Sequence, residues 1–216
     1  MSVVNSDQAE PILTRSLDAL DARRYRRGAT ILRLAFGVVW AINAALKWLP
    51  GYRSTYLSQL KAVAQGQPSF LHGWFHFWIT LQSGAPSVWA DLTGVTETAL
   101  ALVLLLGVVR RPGYLVGAGY MLLVWSVGEG FGGPYVSGST DIGAGIIYTV
   151  LFLTLFTFSP PARDERFSLD QLLAARHAGW RRVADLSSAS GGTAPAWPEP
   201  SVSHPAADDG RMASVR

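Results

Sequence analysis

The chain contains no cysteine. That excludes a disulfide framework, a thiolate nucleophile, a CxxC redox pair and a persulfide carried on the chain itself. Any sulfur or thiol chemistry must involve a second polypeptide, a cofactor or non-covalent binding. Charge is also scarce. Only 15% of the 216 residues are Asp, Glu, Lys or Arg, against roughly a quarter in an ordinary soluble domain. No HExxH zinc motif occurs, and no glycine-rich phosphate loop stands between a strand and a helix. The paired span histidines of a b-type cytochrome are missing too. Neither haem nor flavin has a motif here.

What the chain has in excess is apolar. Hydrophobic residues make up 49%, and the mean hydropathy is +0.22 despite polar ends. This places the chain in the membrane class. The formal charge is +3, but the basic residues flank apolar runs. Inner-leaflet lipid, not nucleic acid, is the partner this pattern implies.

The organising run is WADLTGVTETALALVLLLGVVRR, residues 89–111. A bilayer crossing needs ~20 apolar residues at 1.5 Å rise each, and this run supplies them. Arg110-Arg111 marks its cytoplasmic end. Glu97 lies about eight residues, or ~12 Å of helix, from the Trp89 end. A carboxylate at that depth needs a polar interior or a partner.

The expected fold is all-α: a polytopic membrane protein with a four-transmembrane-helix bundle, interfacial helices and a disordered C-terminal tail. Residues 1–28 form a cytoplasmic N-terminal arm, disordered over 1–11 and then amphipathic from Ile12. The four-helix membrane domain is 29–159, with spans at about 29–49, 89–109, 114–128 and 141–158. The first apolar run is too long for a signal peptide and lacks a clear cleavage site, so it reads as a retained anchor. The outer connector is 50–88. Within it, 52–65 reads as an amphipathic helix, and SFLHGWFHFWITLQSG as an aromatic segment at the outer surface or re-entrant. His72, His76 and Thr80 recur every four positions there and share a face. Arg110-Arg111-Pro112-Gly113 reads as a tight turn and GEGFGGP as a flexible loop. Residues 160–186 form a cytoplasmic amphipathic helix that lies on the inner leaflet or docks a partner, with Ser168 and Gln171 at capping-box spacing. Residues 187–216 form the disordered tail.

Lys/Arg counting sets the orientation. The outer loops and helix ends hold only Lys47, Arg53 and Lys61. Both termini are therefore expected on the cytoplasmic side of the plasma membrane.

In this topology most polar oddities gather in the outer half. Arg33, Trp40 and Lys47 lie seven apart on span one, with Phe36 and Asn43 on the same stripe. Asp91 and Glu97 sit on span two, Glu129 follows span three, and Thr140-Asp141 caps span four. Lys47 paired with Glu97 would make a ligand, quinone or proton site. The plainer alternative is Lys47 snorkelling outward, with neutral Glu97 bonded to Thr93 or a backbone carbonyl. Arg33, near the inner interface, binds either the site or lipid phosphate. His72 and His76 have the spacing of two metal ligands on one helix face, but no third ligand is evident, so no metal is expected.

Read in order, these runs resemble a known family. LRLAFGVVWAINAALKWL is similar to the first helix of the DoxX/DoxD family, with Arg33, Gly37 and Lys47 at matching positions. TGVTETALALVLLLGVVRRPG resembles the second helix, with Glu97, Gly107 and the basic turn. STDIGAGIIYTVLFL looks like the last helix of the DoxD-like members, the small subunits of thiosulfate:quinone oxidoreductase. The resemblance covers about 29–159. It implies a four-helix subunit of a redox complex facing the quinone pool, with sulfur or thiol-linked electron transfer and a redox partner subunit.

The expected function is thus a quinone-interacting oxidoreductase subunit with quinone as co-substrate. Glu97, Lys47 and Arg33 are the candidate catalytic residues. Asn43, Trp40, Asp91, Glu129, Asp141, His72 and His76 are the candidate substrate- or quinone-binding residues. The rival is a non-enzymatic solute carrier, or an anchor or assembly subunit for a soluble partner. Glycine-rich helix faces permit a homo-oligomer.

Overall fold

The computed structural model describes residues 6–186 except Val136, Gly138, Ser139, Thr140, Arg163, Arg166 and Ala178, with side chains from Leu20 onward. The expected tail at 187–216 and the Thr140 half of the proposed cap lie outside the described residues. Every regular element among the described residues is helical. In chain order these are α1 (Ser6–Lys47), α2 (Pro50–Ala64), α3 (His72–Ser83), α4 (Pro86–Leu106), α5 (Arg110–Val127), α6 (Ala144–Phe158), α7 (Leu169–Arg176) and α8 (Trp180–Asp185).

Helices α1, α4, α5 and α6 pack antiparallel around one core. Residue pairs set the direction. Arg33 meets Leu104 while Lys47 meets Glu97, so α1 and α4 run in opposite senses. Gly117 meets Phe152 while Trp125 meets Gly145 across α5 and α6. Phe36, Trp40, Leu100, Leu104, Tyr114, Met121 and Phe152 fill the centre. The inward stripe of α1 is the one the sequence spacing marks: Arg33, Phe36 and Trp40 are all buried. Close helix approach relies on glycine. A Cβ at Gly37 would sit 2.9 Å from Leu105, and one at Gly117 would sit 2.5 Å from the Phe152 ring.

Two helical stretches, Leu20–Lys47 and Pro86–Leu106, are long and apolar enough to cross a membrane. By the same measure α5, which opens on two arginines, does not qualify, and α6 is a shorter apolar helix of 15 residues.

Several local expectations are corrected. Helix α1 starts at Ser6, so the disorder expected through residue 11 does not hold from that point on. The Arg110-Arg111-Pro112-Gly113 segment is the first turn of α5; proline fits there because a first-turn N–H has no intrahelical partner. The reversal lies just before it, at Gly107, whose φ of +63° ends α4 in the left-handed conformation. The outer glycine loop is structured: Gly130–Gly132 forms a 3₁₀ turn, and Glu129 accepts the Gly145 N–H at 2.7 Å. Glu129 therefore caps the start of α6, and Asp141 closes only a local turn onto Gly143 N at 2.7 Å. The single tail helix is two short ones, α7 and α8, with Ser168 Oγ accepting from Gln171 N as the cap of α7. They pack on the end of the bundle where α4 passes into α5; that end is termed inner and the opposite end outer.

Gly117→Ala should destabilise the protein by about 1–3 kcal/mol, because the phenyl ring opposite is locked in the core. Gly119→Ala, where nothing lies within 4 Å of the added carbon, should be neutral or stabilising. Thermal unfolding of the two variants in mild detergent checks the pair.

Candidate functional site: a cavity at one end of the bundle

At the outer end, Lys47 and Glu97 meet. Lys47 is the last residue of α1, and Glu97 lies one helical turn deeper on α4 than Thr93. The Lys47 Nζ to Glu97 Oε1 distance is 3.5 Å, with the side chains 25% and 8% exposed. A small residue on α4 allows this. Gly94 leaves room for Trp48, whose ring would be 3.2 Å from a Cβ there, and Trp48 Nε1 donates to Thr98 Oγ1 at 3.0 Å. Tyr120 of α5 donates its hydroxyl to the same Glu97 oxygen at 3.2 Å. The ammonium also lies 5.1 Å from the centre of the Tyr52 ring, a favourable placement for a cation. Glu97 Oε2 is buried with no hydrogen-bond partner.

This pair borders a cavity of about 350 Å³. Its walls come from α2 (Tyr52, Tyr56, Gln59, Leu60), α3 (Trp78, Gln82), α4 (Trp89, Leu92, Thr93, Thr96) and α5 (Tyr120, Leu123, Val124, Val127). Glu129 lines it as well as capping α6. Tyr56 donates to Gln82 Oε1 at 2.6 Å, tying α2 to α3. Burial pushes the Tyr52 and Tyr56 phenols up, so both remain protonated donors at neutral pH.

The other expected site residues fall elsewhere. Trp40 is buried in the aromatic core and reaches the site only through Tyr120, 6.2 Å away ring to ring. Asn43 is half-buried and does not line the cavity. Asp91 pairs with Arg53 at 2.5 Å on the surface. Asp141 is exposed in its own turn. His72 and His76 are exposed, and His72 Nε2 lies 3.0 Å from the Gln67 carbonyl. The inward face of α3 carries Phe75, Trp78 and Gln82, spaced three and four apart, and not the His72, His76, Thr80 stripe. Among the described residues no group of three or more His, Asp or Glu could hold a metal.

Arg33 belongs to a second, separate cluster at the opposite end of the bundle, buried and away from the cavity. Its Nε meets Glu165 Oε1 at 2.8 Å, and its other nitrogens donate to the carbonyls of Leu104, Leu105 and Phe167. Arg110 pairs with the second oxygen of Glu165 and, at 3.2 Å, with Asp170. Asp170 also accepts from the backbone N–H groups of Val109 and Arg110 and from Trp180 Nε1. It thus caps α5 from another segment. Each of these four side chains is 1% exposed or less. Two guanidinium groups and two carboxylates balance, as burial demands.

No known protein family, curated protein or solved structure matches this chain.

Two stability measurements test the two charge sites. In a double-mutant cycle of Lys47→Met and Glu97→Gln, the coupling should be about 1–3 kcal/mol in favour of the pair; a value indistinguishable from zero would mean the groups do not interact. Asp170→Ala removes one of the two carboxylates that answer Arg110 and strands three N–H donors, so it should cost about 3–5 kcal/mol. A loss below ~1 kcal/mol on thermal unfolding would contradict that role for the inner cluster.

Proposed function

We propose that this chain is a four-span membrane subunit of a quinone-linked oxidoreductase, and that its outer cavity receives the quinone ring. The membrane reading draws support from the outward faces of all four long helices, which are apolar. Ile31 on α1 is 66% exposed, Val95 on α4 54%, Val116 on α5 61% and Val150 on α6 58%. Side chains of this kind on every face of a bundle match acyl chains as solvent. Helices α5 and α6 would then cross with α1 and α4, both termini lying on the cytoplasmic side.

The observation that carries the functional reading is the unpartnered Oε2 of Glu97 beside an aromatic-walled cavity. A volume of about 350 Å³ suits a single substituted ring. Tyr52, Tyr56, Trp78, Trp89 and Tyr120 offer faces and edges for such a ring. Lys47 is already engaged by Glu97, so an anionic substrate would have to break that pair. A neutral ligand does not. Reduction of a quinone to the quinol adds two electrons and two protons. In this reading Glu97 hands over or takes up one proton through Oε2. Lys47 and Tyr120 hold the carboxylate in place through Oε1. A redox partner subunit supplies or removes the electrons. The resemblance of the first, second and last long helices to the DoxX/DoxD family points the same way.

Among the described residues after α6, the acids that hold the bundle are not free for the rival reading of an anchor. Glu165, Asp170 and Trp180 are spent inside the molecule, holding the inner ends of α1 and α5.

Glu97→Gln keeps the shape and the Tyr120 contact but removes the proton site. It should lower quinone-dependent turnover of the chain with its co-purified partner by about a hundredfold or more. Helix content and membrane insertion should be unchanged. Full turnover in that variant would remove Glu97 from the proton path.

A further inference from the structure

Folding sorts the charges at the inner end. Glu165 and Asp170 are buried with Arg33 and Arg110, and Asp185 accepts the Ala162 N–H at 2.9 Å. Arg23, Arg24 and Arg27 on α1, Arg176 on α7, and Arg181 and Arg182 on α8 stay exposed. Among the described residues none of them is in an ion pair. Asp21 is the one exposed acid described there. The same end displays Phe167, 81% exposed, with a left-handed φ of +60°. A bulky residue rarely adopts that conformation, which marks the position for scrutiny. Its backbone is pinned. Arg33 donates to the Phe167 carbonyl at 2.9 Å and also to that of Leu104. Ser168, next in the chain, is buried against Gly107, where a Cβ would sit 2.7 Å away. The ring is thus held outward, level with the end of α4, where the apolar run stops. Beyond it Leu169, Leu172 and Arg176, three and four apart on α7, are exposed on one face.

We propose that the inner end is a binding surface for anionic phospholipid, with the Phe167 ring seated at the edge of the acyl chains and the free arginines on the headgroups. This rests on the membrane reading of the four long helices and is independent of the quinone. The levels agree. Arg27 lies six residues from Arg33, ~9 Å along α1. A headgroup layer is roughly 5–8 Å deep on each side of the hydrocarbon. With Phe167 at the hydrocarbon edge, Arg27 stands at headgroup depth. A bilayer with acidic headgroups offers hydrocarbon and negative charge side by side, which is what a surface of apolar side chains and arginines matches. A zwitterionic headgroup leaves the arginine surplus unanswered. The buried Arg33 then has a further consequence: by holding the Phe167 carbonyl it aims a lipid contact.

The chain has no cysteine, so Phe167→Cys carries a nitroxide label at one known place. The test puts the full-length labelled protein into vesicles of phosphatidylglycerol and phosphatidylcholine. The label should collide more often with dissolved oxygen than with a water-soluble nickel chelate. Val150→Cys on α6, at a side chain 58% exposed, supplies the lipid reference. Nickel prevailing at 167 but oxygen at 150 overturns the proposal alone. Nickel prevailing at both overturns the membrane reading, and the inference with it. The headgroup is tested by calorimetric titration of the unlabelled protein in mild detergent. Short-chain phosphatidylglycerol should bind about fivefold or more tighter than short-chain phosphatidylcholine. Arg24→Gln with Arg27→Gln should reduce that preference by about fivefold or more. Equal affinity of the wild type for the two lipids, or an undiminished preference in the double variant, overturns the proposal.

Discussion

A charge taken out of water needs an opposite charge within reach, and that demand shapes both ends of the α1–α4 pair. At the inner end Arg33 and Arg110 are fully buried and are answered by Glu165 and Asp170. These acids come from the segment after the last long helix, so the chain must fold back and press α7 and α8 onto the bundle. At the outer end Lys47 and Glu97 answer each other with less company. The inner cluster satisfies its four charges with many further hydrogen bonds. The outer pair leaves one carboxylate oxygen open. The first arrangement locks the bundle; the second leaves Glu97 Oε2 buried without a hydrogen-bond partner.

The outer cavity shows how the connector completes what the long helices begin. Helices α1, α4 and α5 bring Lys47, Glu97 and Tyr120 together, but they enclose nothing by themselves. Helices α2 and α3 lay Tyr52, Tyr56, Trp78 and Gln82 over the gap. The Tyr56–Gln82 hydrogen bond fixes the two connector helices to each other. Glu129 joins the wall to the start of α6 by accepting the Gly145 N–H. The lining combines five aromatic side chains with the polar Lys47, Gln59, Gln82, Thr93, Thr96, Glu97 and Glu129. On the proposed reading the aromatic faces hold a flat ring.

Much of the scaffold is legible in the residues because long apolar helices have a simple period. The inward stripe Arg33, Phe36, Trp40 follows directly from seven-residue spacing. The depth of Glu97 and the place of Lys47 put the two at one level, and the structure holds them 3.5 Å apart. Legibility fails where a partner is remote in sequence. Nothing near Arg33 announces Glu165, 132 residues on, so its burial in an ionic cluster cannot be read from spacing, which fits a lipid contact equally well. It fails again on α3, where aromatic residues are both buried, as Phe75 is, and exposed, as Trp74 and Phe77 are. The regular spacing of His72, His76 and Thr80 marks the exposed side, and the inward face is the less conspicuous Phe75, Trp78, Gln82. Helix caps are a third case. Asp141 has the composition of a cap, but the N–H of Gly145 goes to Glu129, which a local pattern cannot show.

The central claim is that the free oxygen of Glu97 faces a ligand. Infrared difference spectra of the full-length protein, recorded with and without a short-chain quinol and with glutamate isotopically labelled, observe that carboxyl group directly. The account predicts a label-sensitive change in a glutamate carboxyl band on binding, absent from the Glu97→Gln protein. A quinol that binds without perturbing any glutamate band, or that perturbs it equally in the variant, would contradict it.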